Sequence, residues 1–340
     1  MSALARPAGI LATALCTPLG FTTEITLAER AAGTLRFVET EAPGLGDTPV
    51  RACRTPLLPT DARRTDRMIA LAVTALASMG DVLAARHLST VPLFLGLPHR
   101  VTGADFDEAR VVTEIERALP AQARLGHVSR YREGRAAFFT ALNAGLLALA
   151  SPQRPRAVLV GGLDSQCDPA SLAALVAEGR ILGQGTIDGL IPGEGAGVIL
   201  LAPPGQKGEI GRVLGCSLAD DPRPFTSSEP ALAEGLSAAL RELGRDVSLT
   251  ARRPDRVLSC QTGETFWATE LSRAYLRNAA LMPEPMINEY SAAAFGDAGA
   301  ASGALLFAAA AAAQPGSRSL VYGCSDEGAV GAAMVEASQR

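Results

Sequence analysis

Apolar runs of strand length, each closed by glycine or proline, alternate with segments of helical period along almost the whole chain. This alternation restricts the fold to packed α/β layers. The first run, Gly9-Ile-Leu-Ala-Thr-Ala-Leu-Cys-Thr17, stops at Pro18-Leu-Gly20 and predicts a buried opening strand. Met68, Leu71, Ala72, Ala75, Leu76 and Met79 recur at helical spacing between Arg67 and Leu83, and the strand Val91 to Gly96 follows. Glu108 to Leu119 predicts a short amphipathic helix. Gly134 to Ala150 is almost wholly apolar, which predicts a helix enclosed on most sides. Ala157 to Gly162 reads as a strand ending in a glycine pair. Asp168-Pro169 supplies the cap and first turn of a helix to about Glu178.

The same grammar then repeats. Ile191-Pro-Gly-Glu-Gly-Ala-Gly197 is a small-residue loop feeding the apolar stretch to Leu201, and Pro203-Pro-Gly205 closes it. Beyond it the pattern predicts strand Ile210 to Ser217, helix Pro230 to Leu243, strand Arg256 to Cys260 and helix Trp267 to Asn278. The helix Ala298 to Ala313 and the strands Ser319 to Tyr322 and Ala332 to Val335 complete it. Two halves are expected, 1–205 and 206–340.

Composition removes several alternatives. With 48% hydrophobic and 19% charged residues, the chain is too apolar to be disordered. A net charge of −4 with scattered arginines leaves no electrostatic footprint for nucleic acid. The six cysteines, Cys16, Cys53, Cys167, Cys216, Cys260 and Cys324, contain no C-x-x-C pair. Neither a zinc knuckle nor a disulfide framework is expected, and a reducing cytoplasm fits. No run reaches the ~20 apolar residues of a membrane span, so no membrane partner is expected. Arg6 to Gly20 has the outline of a signal peptide, but Pro7, Gly9 and Thr13 interrupt it. No motif calls for a metal or other cofactor.

Several of the punctuated stretches resemble, in order, motifs of the β-ketoacyl-acyl-carrier-protein synthases of the thiolase-like superfamily. Thr17-Pro-Leu-Gly20 resembles their opening turn, and Val158-Leu-Val-Gly-Gly-Leu-Asp164, with Gly161 and Gly162, their strand ending in a glycine pair. The loop carrying Gly193, Glu194 and Gly195 resembles their G-x-G-A-G loop. Phe295-Gly-Asp-Ala-Gly-Ala-Ala-Ser-Gly303, with Gly296 and Gly299, resembles a helix start, and Cys324-Ser-Asp-Glu-Gly-Ala-Val-Gly331 the last glycine-rich turn. The resemblance implies an α/β thiolase-like fold of two pseudo-symmetric halves in α-β-α-β-α layers. It also implies a homodimer joined through an edge strand. The glycines themselves serve close approach and tight turns, a requirement of the fold.

Chemistry in the family it resembles needs a cysteine at the amino end of the central helix and two histidines. The window Tyr131-Arg-Glu-Gly-Arg-Ala136 has neither cysteine nor serine. Gln261-Thr-Gly-Glu-Thr265 fills the first histidine stretch, and Asp297 the second. His87, His99 and His127 all precede these motifs and read as surface or satisfied loop residues rather than catalysts, with His127 an outside candidate because it could fold near the start of the central helix. Glu133, Gly134, Gln261, Thr262 and Cys324 are therefore expected to line a vestigial pocket. Cys260, Glu264 and Asp297 are the candidates for any displaced chemistry, with Cys324 behind them. Each has a bland reading as well: buried thiols as small hydrophobes, Asp297 as a helix cap, and Glu133 and Glu194 as partners of backbone dipoles and amides. Trp267 suits a pocket wall or the core.

The expectation is a catalytically degenerate, dimeric binding, scaffold or adaptor protein, without standard ketoacyl synthase activity. Degenerate members of the superfamily resemble partners or regulators, some alongside bacterial secretion machinery. An acyl-carrier protein or a secretion component are thus the partners implied. The alternative is an acyltransferase or other acyl-thioester enzyme with an unorthodox site at Cys260, Glu264 or Asp297. A third reading is an acyl chain held in the old pocket without reaction.

Overall fold

The computed structural model describes residues 7–44, 48–99, 105–119, 123–183 and 185–339. Arg6, at the start of the signal-like stretch, lies outside them. The described strands are β1 (Ala8–Cys16), β2 (Phe37–Pro43), β3 (Pro49–Cys53), β4 (Thr90–Gly96), β5 (Arg124–Tyr131), β6 (Val158–Ser165), β7 (Glu194–Ala202), β8 (Gly211–Asp220), β9 (Arg256–Ser259), β10 (Asn288–Tyr290), β11 (Arg318–Cys324) and β12 (Ala329–Ala337). The helices are α1 (Thr23–Ala31), α2 (Arg64–Ala85), α3 (Glu108–Arg117), α4 (Ala137–Ala150), α5 (Pro169–Ala177), α6 (Glu234–Gly244), α7 (Val247–Thr250), α8 (Thr265–Arg277), α9 (Ala292–Phe295) and α10 (Ser302–Ala311).

Ten strands form one hydrogen-bonded run in the order β10-β9-β11-β12-β8-β1-β7-β6-β4-β5, and β2 and β3 form a separate hairpin. The run is joined at its middle by a short antiparallel contact, Ala8–Ile10 against Gly211–Val213. Either side of that junction, five strands follow the same pattern of two antiparallel and two parallel pairings. Helices α4 and α10 each touch strands from both sides of the junction, so they form the layer between the two halves of the sheet. Helix α2 covers β1, β6 and β7, and α6 covers β8 and β12.

The central layer is where small residues matter most. Phe138 of α4 and Phe307 of α10 are fully buried, with ring centroids 5.2 Å apart. A Cβ on Gly162 would stand 2.4 Å from the Ala300 carbonyl oxygen, and one on Gly193 2.0 Å from that of Phe295. These glycines let β6 and the loop before β7 lie directly against the chain entering α10.

Three features differ from expectation. Helix α2, 22 residues long, is long and apolar enough by length and composition to cross a bilayer, although no such run was expected. Its face from Met68 to Leu83 is buried on the sheet, and Arg64 and Arg67 are buried in ion pairs at its first turns. The hairpin β2–β3, helix α1 and edge strand β5 have no counterpart in the predicted elements. The central helix begins later than its apolar run: Gly134–Ala136 form a 3-10 turn before α4.

Candidate functional site

The start of α4, the end of β9, the chain entering α10 and the turn after β11 converge on one point. Gly134 opens the 3-10 turn at φ 53°, a conformation that glycine adopts without the Cβ clash. That twist carries the next side chain, Arg135, inward. Arg135 is 4% exposed. Its Nη1 donates to Asp297 at 3.0 Å, its Nε to the Cys324 carbonyl at 3.2 Å, and its Nη2 to Asp326. The guanidinium lies 4.6 Å from the centre of the Trp267 ring, a cation–π contact that partly compensates for lost water.

A second guanidinium continues the chain of charges. Arg180 donates to Asp326 at 2.7 Å and to both Glu264 oxygens at 2.8 and 2.9 Å, and it stacks 4.4 Å over Phe225. Phe225 in turn lies nearly parallel to Trp267, at 5.6 Å. The result is an alternating row, Asp297, Arg135, Asp326, Arg180, Glu264, laid against two stacked aromatic faces. Three carboxylates share two guanidiniums.

Electrostatics follow from that count. Burial raises the Asp297 carboxyl above its ordinary range, and Asp326 adds to this while Arg135 opposes it. Burial also acts on Asp326, but there the guanidiniums of Arg135 and Arg180 prevail and hold it below the usual range. Both arginines stay firmly protonated, because the carboxylates outweigh the desolvation of their buried guanidiniums.

Of the site residues read from the sequence, Glu264 and Asp297 enter this one row, joined through Arg135, Asp326 and Arg180. Asp297 also accepts from Gly299 N at 3.0 Å, closing a local turn just before the 3-10 segment Gly299–Ala301, whose own cap residue is Ala298. Glu264 makes no cap bond to α8; it accepts from Trp267 Nε1 at 3.1 Å and Thr262 Oγ1 at 2.8 Å. Gln261 donates to the Trp267 carbonyl at 2.9 Å and to Tyr322 Oη at 2.7 Å. Glu133 is half-buried and accepts from Thr140 Oγ1. His127 is exposed on β5. His99, by contrast, pairs with Glu327 at 3.1 Å and borders the same small void as Gly134, Arg135 and Asp326.

Cys260 and Cys324 border a second small void, with Gln261, Trp267, Glu270 and Tyr322. Burial pushes both thiols far above the ordinary value, and the arginine beside them only partly offsets it. A thiol held protonated is a poor nucleophile. Each of the two voids is about 10 Å³, room for one water at most. The larger clefts, about 690 Å³ beside α1 and α2 and about 460 Å³ between the hairpin and α5, are lined by none of the charged row.

Arg180 and Asp326 had no signal in the sequence beyond being charged residues in glycine-rich turns, since their partners lie far away along the chain. Glu194 is fully buried in a separate cluster. It accepts from Arg67 at 2.8 and 2.9 Å, Ser165 Oγ at 2.7 Å and Thr55 N at 2.7 Å. Arg64 and Asp164 pair beside it at 2.7 Å.

No family model and no curated protein matches the chain, whereas many solved structures do. It is similar to the ketosynthase from module 6 of the bacillaene synthase of Bacillus subtilis 168, with TM-score 0.75 and 12% identity over 98% of this chain and 72% of that one. It is similar to the ishigamide ketosynthase/chain length factor, with TM-score 0.64 and 18% identity over 98% and 99%. A third match is a type II PKS acyl-carrier protein in complex with its ketosynthase, with TM-score 0.76 and 12% identity over 98% and 100%. Together with the layered sheet and its two central helices, these matches give the chain the thiolase-like fold of the ketosynthases.

Proposed function

We propose that this ketosynthase-fold chain does not condense acyl thioesters and serves as a non-catalytic binding subunit. The observation that carries this reading is the occupation of the helix start by Arg135. Condensation at this position would need a thiolate nucleophile and donors aimed at a developing oxyanion. Gly134 offers no side chain, and the three hydrogen bonds of Arg135 end on Asp297, Asp326 and a carbonyl. The carboxylates beside it repel a growing negative charge. Voids of about 10 Å³ are also too small for an acyl chain, against the ~300 Å³ or more of usual ligand pockets, which counts against an acyl chain held at this position.

The partners this reading favours are those named with its neighbours, a ketosynthase-type chain or an acyl-carrier protein. The test is incubation with acyl-carrier-protein and acyl-coenzyme A thioesters of several chain lengths, followed by intact mass and product analysis. Unmodified protein and no condensed product are expected. An acyl adduct on Cys260 or Cys324 with turnover would overturn the reading and restore the acyl-thioester enzyme as the better one.

A further inference from the structure

The cleft between the hairpin β2–β3 and helix α5 holds about 460 Å³, within the usual range of small-molecule sites. Its walls are apolar, with Ala42 and Pro43 from the hairpin and Leu172, Ala173 and Val176 from α5. Among the described residues, the polar side chains on its border are Glu41, Arg54 and Thr60. Arg54 is a cation with donors to spare. Its side chain is 9% exposed, yet its one ion pair is a single contact from Nη1 to Glu41 at 3.3 Å, and the Glu41 side chain is 69% exposed. Among the described residues its Nε and Nη2 make no hydrogen bond.

Those two nitrogens share one edge of the planar guanidinium, the edge that a carboxylate grips with both oxygens. Elsewhere in this molecule that edge is filled. Nε and Nη2 of Arg67 donate to the two oxygens of Glu194 at 2.8 and 2.9 Å, and those of Arg180 donate to the two of Glu264 at the same distances. Arg54 has no such partner, and a guanidinium so enclosed has lost water that only an acceptor replaces. We propose that this cleft binds a small carboxylic acid with an aliphatic or aromatic body, its carboxylate on the Nε–Nη2 edge of Arg54 and its body along the apolar wall of α5. An uncharged apolar ligand leaves that edge unused, and an amine meets it as a like charge. Glu41 competes with the ligand for the same cation. The proposal does not depend on whether the chain condenses thioesters, since the cleft is lined by none of the charged row.

Octanoate is the probe, titrated into the folded protein by calorimetry at neutral pH, with octanol and acetate as separate ligands. The wild type should take up octanoate saturably, one to one. Octanol, which lacks the charge, and acetate, which lacks the body, should each bind at least about tenfold more weakly. Arg54→Gln should weaken octanoate at least about tenfold, whereas Glu41→Gln, which removes the competitor, should tighten it by about twofold to fivefold. Ala173→Trp, at an exposed position on the cleft wall, should fill the cleft and abolish binding, and circular dichroism checks that each variant is folded. A wild type without saturable octanoate binding would overturn the proposal, as would octanol binding as tightly as octanoate, or a loss of affinity in Glu41→Gln. An acyl adduct in the thioester assay would instead sink the non-catalytic reading while leaving this binding result intact.

Discussion

Two buried ionic clusters sit in this molecule, and they are built on different principles. Beneath α2, Arg67 meets Glu194 and Arg64 meets Asp164, one guanidinium to each carboxylate, with hydroxyl and amide donors filling remaining lone pairs. At the start of α4, three carboxylates share two guanidiniums in a row drawn from the 3-10 turn before α4, the segment after α5, the residue before α8 and the turns before α10 and after β11. The first arrangement is balanced and behaves as a staple between helix and sheet. The second carries surplus negative charge and borders a void of only about 10 Å³.

The difference can be broken by removing one cation from each. Arg67→Met strands Glu194 fully buried, and a loss of about 3–5 kcal/mol in denaturant unfolding is expected. Arg135→Met should cost less, about 1–3 kcal/mol, because Arg180 still holds Asp326 and Asp297 can take up a proton. Equal losses would mean that the two clusters are not different in kind.

A buried carboxylate outside both clusters sharpens the contrast through pH. Glu270, buried on α8 with one oxygen lacking a partner, is raised to about 7 by burial and by Asp221. The folded state therefore binds this proton more tightly than the unfolded chain. Its contribution is fully present below the ordinary value of 4.5 and is lost as pH rises through about 7. Glu270→Gln should thus stabilise by about 1–3 kcal/mol at pH 8 and change little at pH 4. Melting curves of both proteins across that window check the sign.

The smallest effect concerns Asp297. Burial raises its carboxyl above the ordinary range; Asp297→Asn keeps an acceptor for Gly299 N but turns an amide NH2 toward Arg135 Nη1, and a loss of about 1 kcal/mol is expected. Asp326→Asn, which takes charge from both arginines, should cost more in the same titration.

The sequence announced the central layers because they are apolar and glycine-punctuated, and burial leaves such runs little freedom. It was silent about β5, whose charged and bulged edge has none of the alternation of a half-buried strand, and about the polar hairpin Phe37–Pro43 with Pro49–Cys53. At the site, Asp297 and Glu264 were legible as polar residues where histidines belong by resemblance. The cation between them was not, because Arg135 meets Asp297 and Asp326 across separations of 162 and 191 residues. Local pattern carries no information about such pairings.

The central claim is that this position is closed and holds no usable thiolate. Alkylation of the folded protein at pH 8, with peptide mapping of Cys260 and Cys324 over several hours, tests it most directly. Both thiols should remain unmodified in the wild type, with labelling only after denaturation. Rapid alkylation of either one in the folded state would contradict the account.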